Sequence, residues 1–165
     1  MVTESSEEAI PGPAPTGSFR FSPRPNRAGQ IKWRSWDESI FQRSGKENKP
    51  VLLAISAVWC HWCHVMDETG YSDDEVISLI NESFIPVRVD SDQRPDINFR
   101  YNQGGWPTLA FLTADGEVIT GATYIPADQL RRLLGDVRDL YSGNRQEIQM
   151  AVDNIREQRQ VLAKQ

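Results

Sequence analysis

A strand that runs directly into two cysteines is the feature that most constrains what this chain can fold into. Residues 51–55 are an apolar run that predicts a buried strand, and the segment WCHWC follows at residues 59–63. A helix should begin at Cys60, where unpaired N–H groups and the positive end of the helix dipole favour a thiolate. Cys63 lies one turn further on, on the same side, so the two sulfurs can form a disulfide. The physical interpretation is a redox-active dithiol.

The composition is that of a globular domain with an acidic surface. The chain has 165 residues, of which 39% are hydrophobic and 25% are charged, so one domain with a core and a tail is expected. The formal net charge of -5 argues against a nucleic-acid partner. No apolar run approaches a membrane span, and the acidic, Pro/Gly-rich start lacks the pattern of a signal peptide. We therefore expect no membrane partner and a cytoplasmic location.

The two cysteines form a single CxxC motif, and the sequence has no others. Such a pair cannot build a disulfide scaffold, and in an intracellular chain it indicates redox or metal chemistry. Cys60, Cys63 and His64 match the pattern for c-type haem attachment, but haem attachment normally needs export. Zinc could use both cysteines and a histidine, although structural zinc sites take four ligands from spaced pairs. The sequence predicts no resident metal or cofactor, and leaves zinc bound between chains or adventitiously as an alternative.

The chain divides into three regions. Residues 1–29 are rich in Pro, Gly, Ser and charge, which predicts a disordered N-terminal tail. Residues 30–143 carry the strand and helix patterns of a folded domain, and residues 144–165 predict a polar helical extension. That last helix could pack on its own domain or dock a further domain.

Two helix starts are indicated by capping-box patterns. Ser35 with Glu38 predicts a helix that begins at Trp36, and Ser72 with Glu75 predicts a second one.

The predicted elements follow the order strand, helix, strand, helix, strand, strand, helix. The first three strands are expected at residues 51–56, 84–89 and 108–113, and an Asp-Gly pair predicts a hairpin into the fourth. Pro86 predicts that the second strand lies at an edge of the sheet or starts near this residue. The sequence therefore predicts a three-layer α/β fold, with a mixed central sheet of about four strands and helices on both faces.

Two local motifs accompany this order. The first strand leads into Trp59-Cys60-x-x-Cys63, and Gly105-Trp106-Pro107-Thr108 precedes the third strand. The order of the elements and the two motifs together resemble thioredoxin, in which the second motif has the form Gly-x-Pro-Thr. The resemblance implies that Pro107 is cis and lies against the active-site cysteines, and that Trp106 helps to shape a substrate groove.

Further motifs extend over residues 33–126. They read Cys60-His61-Trp62-Cys63-His64-Val65-Met66, Arg94-Pro95-Asp96, Gly104-Gly105-Trp106-Pro107 and Thr123-Tyr124-Ile125-Pro126. As a set they resemble the N-terminal thioredoxin-like domain of the spermatogenesis-associated protein 20 family. In that family a large helical toroid usually follows this domain. The resemblance therefore implies either an excised part of a larger protein or a standalone relative.

Two positions depart from thioredoxin. Aligned on the first cysteine, the position of thioredoxin's buried proton-accepting Asp holds Ala54, and the position of its Lys partner holds Pro86. The usual acid–base pair beneath Cys63 is therefore expected to be absent. His61 and His64 are then the nearby side chains with a suitable unperturbed pKa, about 6.5. A cationic His61 would also stabilise a thiolate at the first cysteine.

These patterns predict a thiol–disulfide oxidoreductase that acts on a disulfide- or dithiol-containing protein. Cys60 would attack the substrate disulfide, and Cys63 would resolve the resulting mixed disulfide. The supporting side chains are expected to be Trp59, His61, Trp62, His64, Trp106 and Pro107. The alternative is a non-catalytic binding or redox-sensing module on the same scaffold, because a fold does not fix a function.

Overall fold

The computed structural model describes residues 19–143 and 145–163. Within these ranges it contains six α-helices and four strands, and it confirms the predicted α/β class. In chain order the elements are α1 (Ser39–Glu47), β1 (Val51–Ser56), α2 (His61–Glu68), α3 (Asp74–Ser83), β2 (Ile85–Asp90), α4 (Pro95–Tyr101), β3 (Thr108–Leu112), β4 (Val118–Ala122), α5 (Ala127–Gly143) and α6 (Arg145–Ala163).

The four strands form one mixed sheet in the order β2-β1-β3-β4. β1 pairs parallel with β2 and antiparallel with β3, and β4 returns antiparallel to β3 through the predicted hairpin. Gly116, with φ +81°, provides the left-handed position that the hairpin turn requires. β2 is an edge strand, as Pro86 predicted, because proline cannot donate a ladder hydrogen bond.

Helices cover both faces of the sheet, because the side chains of β1 alternate between two apolar cores. Leu52 and Ala54 face a core that also receives side chains from α2, α3 and α5. Leu53 and Ile55 face a second core, which is closed by α1 and α4. β1, β2 and β3 are therefore buried on both faces, whereas β4 is partly exposed, and β1 lies between β2 and β3.

The segment before the first helix differs from the expectation. Residues 1–18 of the predicted disordered tail lie outside the described residues, but residues 19–29 pack against the domain. Phe21 packs against the core that contains Leu52, and Ala28 is fully buried there. Aromatic side chains in an otherwise polar stretch give this segment apolar area to bury, which the composition alone understated.

Neither predicted capping box forms. α1 begins at Ser39, three residues later than expected, and the Asp37 carboxylate accepts a hydrogen bond of 2.7 Å from the Ser39 N–H. At α3 the cap is Asp73, whose carboxylate accepts from the Val76 N–H at 3.0 Å. At α3 an aspartate next to the predicted serine is therefore the cap, whereas α1 follows Glu38, whose side chain makes no cap hydrogen bond.

The C-terminal helix packs on its own domain. Val152 of α6 is buried, and Arg156 and Arg159 donate hydrogen bonds to the Glu117 carboxylate at 3.3 and 3.2 Å. Glu117 lies at the end of the hairpin between β3 and β4, so these contacts tie α6 to the sheet.

Among the helices of the described ranges, none combines the length and the apolar character needed to cross a bilayer.

Candidate active site

Cys60 is the N-cap of α2. Its backbone is extended, with φ -93° and ψ 112°, and its Sγ accepts a hydrogen bond of 3.1 Å from the Cys63 N–H. The sulfur therefore takes the place that a Ser or Asp oxygen usually takes at a helix start. Because the free N–H groups and the helix dipole both point at this atom, a thiolate is stabilised there.

Cys63 lies inside the first turn and is only 2% exposed. Both cysteines are free thiols in the structure. Burial, followed by hydrogen bonding to Cys60, raises the pKa of the Cys63 thiol far above its usual range, and the charge of Arg88 only partly opposes this. Cys63 is therefore a protonated thiol at neutral pH, while Cys60 holds the position suited to an anion.

Exposed aromatic rings surround the cysteines. Trp59 and Trp62 are 58% and 52% exposed, although large apolar side chains are normally kept from solvent. The Trp59 ring stands edge to face against Trp106 at 5.4 Å between centroids, and the Trp62 ring lies 4.9 Å from that of Tyr124. The structure thus brings the CxxC motif and the Gly-Gly-Trp-Pro motif to one rim.

The loop that carries Trp106 is held by its own hydrogen bonds. The Asn102 side-chain oxygen accepts from the N–H groups of Gly104 and Gly105 at 2.8 and 2.9 Å. The following Trp106–Pro107 peptide bond is cis, and Pro107 is buried. Because the turn is fixed on both sides, Trp106 has a defined position at the rim.

The two histidines occupy different surroundings. His61 is exposed and its ring contacts that of Trp62 at 5.3 Å between centroids. His64 is half-buried and lines a pocket next to Cys63. Only His64 therefore shares an enclosed space with the second cysteine.

A buried ion pair lies by the same pocket, and the sequence analysis did not identify it. Arg88 of β2 donates to the Asp67 carboxylate of α2 at 2.9 Å, and the two side chains are 4% and 2% exposed. Both line a pocket of about 180 Å³ together with Cys63 and His64. The expectation that only histidines are available near Cys63 is therefore incomplete, because a carboxylate reaches the site from α2 itself.

The register of the sheet explains why the pair was missed. Ala54 and Arg88 are direct partners between β1 and β2. The small side chain of Ala54 leaves room next to it, and Arg88 reaches from the neighbouring strand toward α2. Two signals were available in the sequence: a charged residue within an apolar strand, and Asp67 placed four residues after Cys63 on one helix face.

In the part of the chain that the structure describes, the side chains around the cysteines do not form a metal site. Across residues 19–143 and 145–163, no three His, Cys, Asp or Glu side chains gather into a set that could hold an ion. Cys60, Cys63 and a histidine therefore do not form a zinc ligand set by themselves.

Comparison with known proteins supports the assignment of the fold. A thioredoxin from Thermus thermophilus superposes with a TM-score of 0.58 at 19% identity, covering 67% of this chain and 91% of that one. Spermatogenesis-associated protein 20 from Rattus norvegicus is 36% identical over 106 residues, which are 59% of this chain and 13% of that protein. The thiol:disulfide interchange protein DsbD from Campylobacter jejuni strain RM1221 is 30% identical over 96 residues, 56% of this chain and 17% of that protein.

These similarities confirm the predicted thioredoxin-like fold and the resemblance to spermatogenesis-associated protein 20. The chain spans less than a fifth of the length of the two curated relatives given above, so they match it only over this domain. The family model described as Thioredox_DsbH, Protein of unknown function, DUF255, matches residues 24–160. The chain belongs to this Thioredox_DsbH family, and it is a thioredoxin-like domain with relatives among thiol–disulfide interchange proteins.

Proposed function

We propose that this domain is a thiol–disulfide oxidoreductase that uses Cys60 and Cys63. The observation that carries the proposal is the hydrogen bond from the Cys63 N–H to Cys60 Sγ at the start of α2. It places one sulfur where a thiolate is stabilised and the second sulfur in the adjacent turn, which is the arrangement that thiol–disulfide exchange requires.

The reaction takes two exchange steps. The Cys60 thiolate attacks one sulfur of a substrate disulfide, forming a mixed disulfide and releasing the first substrate thiolate. Cys63 then loses its proton and attacks Cys60 Sγ, which forms the Cys60–Cys63 disulfide and releases the second substrate thiol. The substrate gains two electrons and the cysteine pair loses two.

A protein is the substrate that best suits the rim. Trp59, Trp62 and Trp106 offer exposed aromatic area next to Cys60, more than a small disulfide could cover. We therefore expect a polypeptide that presents a disulfide or dithiol beside apolar side chains.

The test is the midpoint potential of the cysteine pair, measured against glutathione through tryptophan fluorescence. We expect a reversible two-electron transition in the natural chain, and none in Cys60→Ser or Cys63→Ser. A value near that of thioredoxin, about -270 mV, would indicate a reductant, and one near about -180 mV an oxidant or isomerase-like role. Thiols that stay free across this range would reject the proposal and favour a binding module.

A further inference from the structure

The buried ion pair by Cys63 leaves polar atoms without partners. Asp67 Oδ1 and Arg88 Nη1 are buried and have no hydrogen-bond partner among the described residues, and the same holds for the Tyr71 hydroxyl. Buried polar atoms are normally paired, because an unpaired one costs about 1–3 kcal/mol. Such a concentration of unpaired atoms at one place therefore calls for a functional explanation.

The rest of the pair is firmly held. Asp67 Oδ2 accepts from Arg88 and from the Ser22 N–H, both at 2.9 Å. Arg88 donates to the Arg20 carbonyl at 3.0 Å, and its guanidinium lies 4.5 Å from the centre of the Phe21 ring. The segment 20–22 thus covers the ion pair and fixes one carboxylate oxygen, while Oδ1 is buried and has no partner within the described ranges.

Asp67 and Cys63 both line the pocket of about 180 Å³. Cys63 and Asp67 are four residues apart on α2, so their side chains lie on the same face of the helix. The pocket also takes in Arg88 and His64, and a pocket of this size has room for several waters. Water held there would connect the two side chains inside the pocket.

We propose that Asp67, held in place by Arg88, accepts the proton of the Cys63 thiol through water in this pocket. The proposal rests on the exchange reaction proposed above and concerns its second step. The S–H bond of Cys63 breaks and the carboxylate takes the proton. The sulfur electron pair forms the bond to Cys60 Sγ, and the substrate thiolate leaves.

Several charged or titratable groups face Asp67 and enter its pH dependence. They are Cys63 and His64 from α2, Tyr71 from the turn after it, Arg88 from β2 and Arg20 from the N-terminal segment. Burial raises the pKa of Tyr71 far above its usual range, so its hydroxyl stays protonated and cannot act as the acceptor.

The test follows the two steps separately with 5,5′-dithiobis(2-nitrobenzoate). Attack by Cys60 releases one coloured thionitrobenzoate, and resolution by Cys63 releases the second. In Asp67→Asn we expect the first release to be unchanged and the second to slow by about 100-fold, within the range for loss of a general base. The matched control is Asp128→Asn, an exposed carboxylate of α5, which should change neither release.

The pH profile distinguishes proton transfer from a structural role. In the natural chain the second release should be nearly independent of pH between about 6 and about 9, because an internal acceptor removes the proton without help from hydroxide. In Asp67→Asn it should rise about tenfold per pH unit, because hydroxide then has to remove the proton. If Asp67→Asn does not fold, the double variant Asp67→Asn/Arg88→Gln leaves no unpaired charge and gives the same readout.

Three results would overturn the proposal. One is an unchanged second release in a folded Asp67 variant. Another is a pH profile that changes with His64→Asn and not with Asp67→Asn. The third is a natural chain whose second release already rises about tenfold per pH unit, as expected without an internal acceptor. Loss of either release in the natural chain at every pH would instead reject the proposed function itself.

Discussion

Trp59 and Trp106 meet edge to face at 5.4 Å between ring centroids, although 46 residues separate them in the chain. One ring belongs to the segment before α2 and the other to the loop before β3. The Trp59 indole Nε1–H also donates to the Asp92 carboxylate at 3.0 Å, so a third loop contributes to the same corner. These contacts form the rim of aromatic rings, which comes together only when the strands have formed the sheet.

Trp106→Ala tests whether this rim binds a polypeptide. We expect the rate of reaction with a peptide disulfide that carries apolar side chains to fall by about tenfold, which corresponds to about 1.4 kcal/mol of lost binding. The rate with oxidised glutathione should change less, because a small disulfide covers only a small part of the rim. Stopped-flow fluorescence measures both. Equal losses with both substrates would show that the tryptophan acts on the cysteines and not on the substrate.

Cys63→Ala should trap the first step of exchange. The Cys60 thiolate still attacks, but no second sulfur is present to release the substrate, so a mixed disulfide accumulates. Cys60→Ala should form far less adduct near pH 7, since burial raises the pKa of Cys63 and keeps its thiol protonated. Mass spectrometry after incubation with oxidised glutathione measures both adducts. Equal labelling of the two variants would contradict this assignment of roles.

Leu130→Ala tests the packing of α5 against the core. Leu130 is fully buried and packs closely against Gly70. If Gly70 carried a Cβ, that atom would lie only 2.9 Å from Leu130 Cδ2. We expect the free energy of unfolding to fall by about 2–5 kcal/mol. Leu140→Ala on the same helix removes a side chain that is 41% exposed and should cost about 0.5 kcal/mol or less. Urea denaturation followed by circular dichroism compares them, and similar losses would contradict the assigned core.

Glu117 should make the docking of α6 depend on pH. Hydrogen bonding to Arg159 and Arg156 lowers the pKa of the Glu117 carboxyl below its usual range. The ionised carboxylate therefore stabilises the folded protein at pH values above the pKa of an unfolded glutamate, about 4.3. This stabilisation is lost as the pH falls through the pKa of Glu117 in the folded protein.

The corresponding variant is Glu117→Gln. We expect it to reduce the free energy of unfolding by about 1 kcal/mol at pH 7. The variant should also lose less stability than the natural chain when the pH is lowered, because it has no carboxylate to protonate at this position. Thermal denaturation at pH 7 and pH 3 measures the difference, and Glu147→Gln, an exposed carboxylate of α6, is the matched control. A Glu117 variant that is less stable by the same amount at both pH values would point to lost packing instead of lost charge.

The fold class was readable because its signals are local. An apolar run that ends at Trp59 and Cys60, an Asp-Gly turn and helical periodicity each depend on neighbouring residues, and together they predicted the mixed sheet and the helix start at Cys60. Local competition limited the detail. Asp73 takes the place of the predicted cap Ser72, and α1 follows Glu38 without a side-chain cap, because several capping residues stand close together and sequence patterns do not rank them.

The sequence by itself determined the strand, the CxxC motif and the helix that presents the first sulfur, since all three follow from consecutive residues. Only the tertiary structure decided what surrounds the second sulfur. Arg88 reaches Asp67 because β1 and β2 pair in one register, with Ala54 leaving space between them, and because segment 20–22 folds back over both. Contacts between residues 21 and 68 positions apart leave no periodic trace in a sequence, so the buried charge pair became visible only in the folded chain.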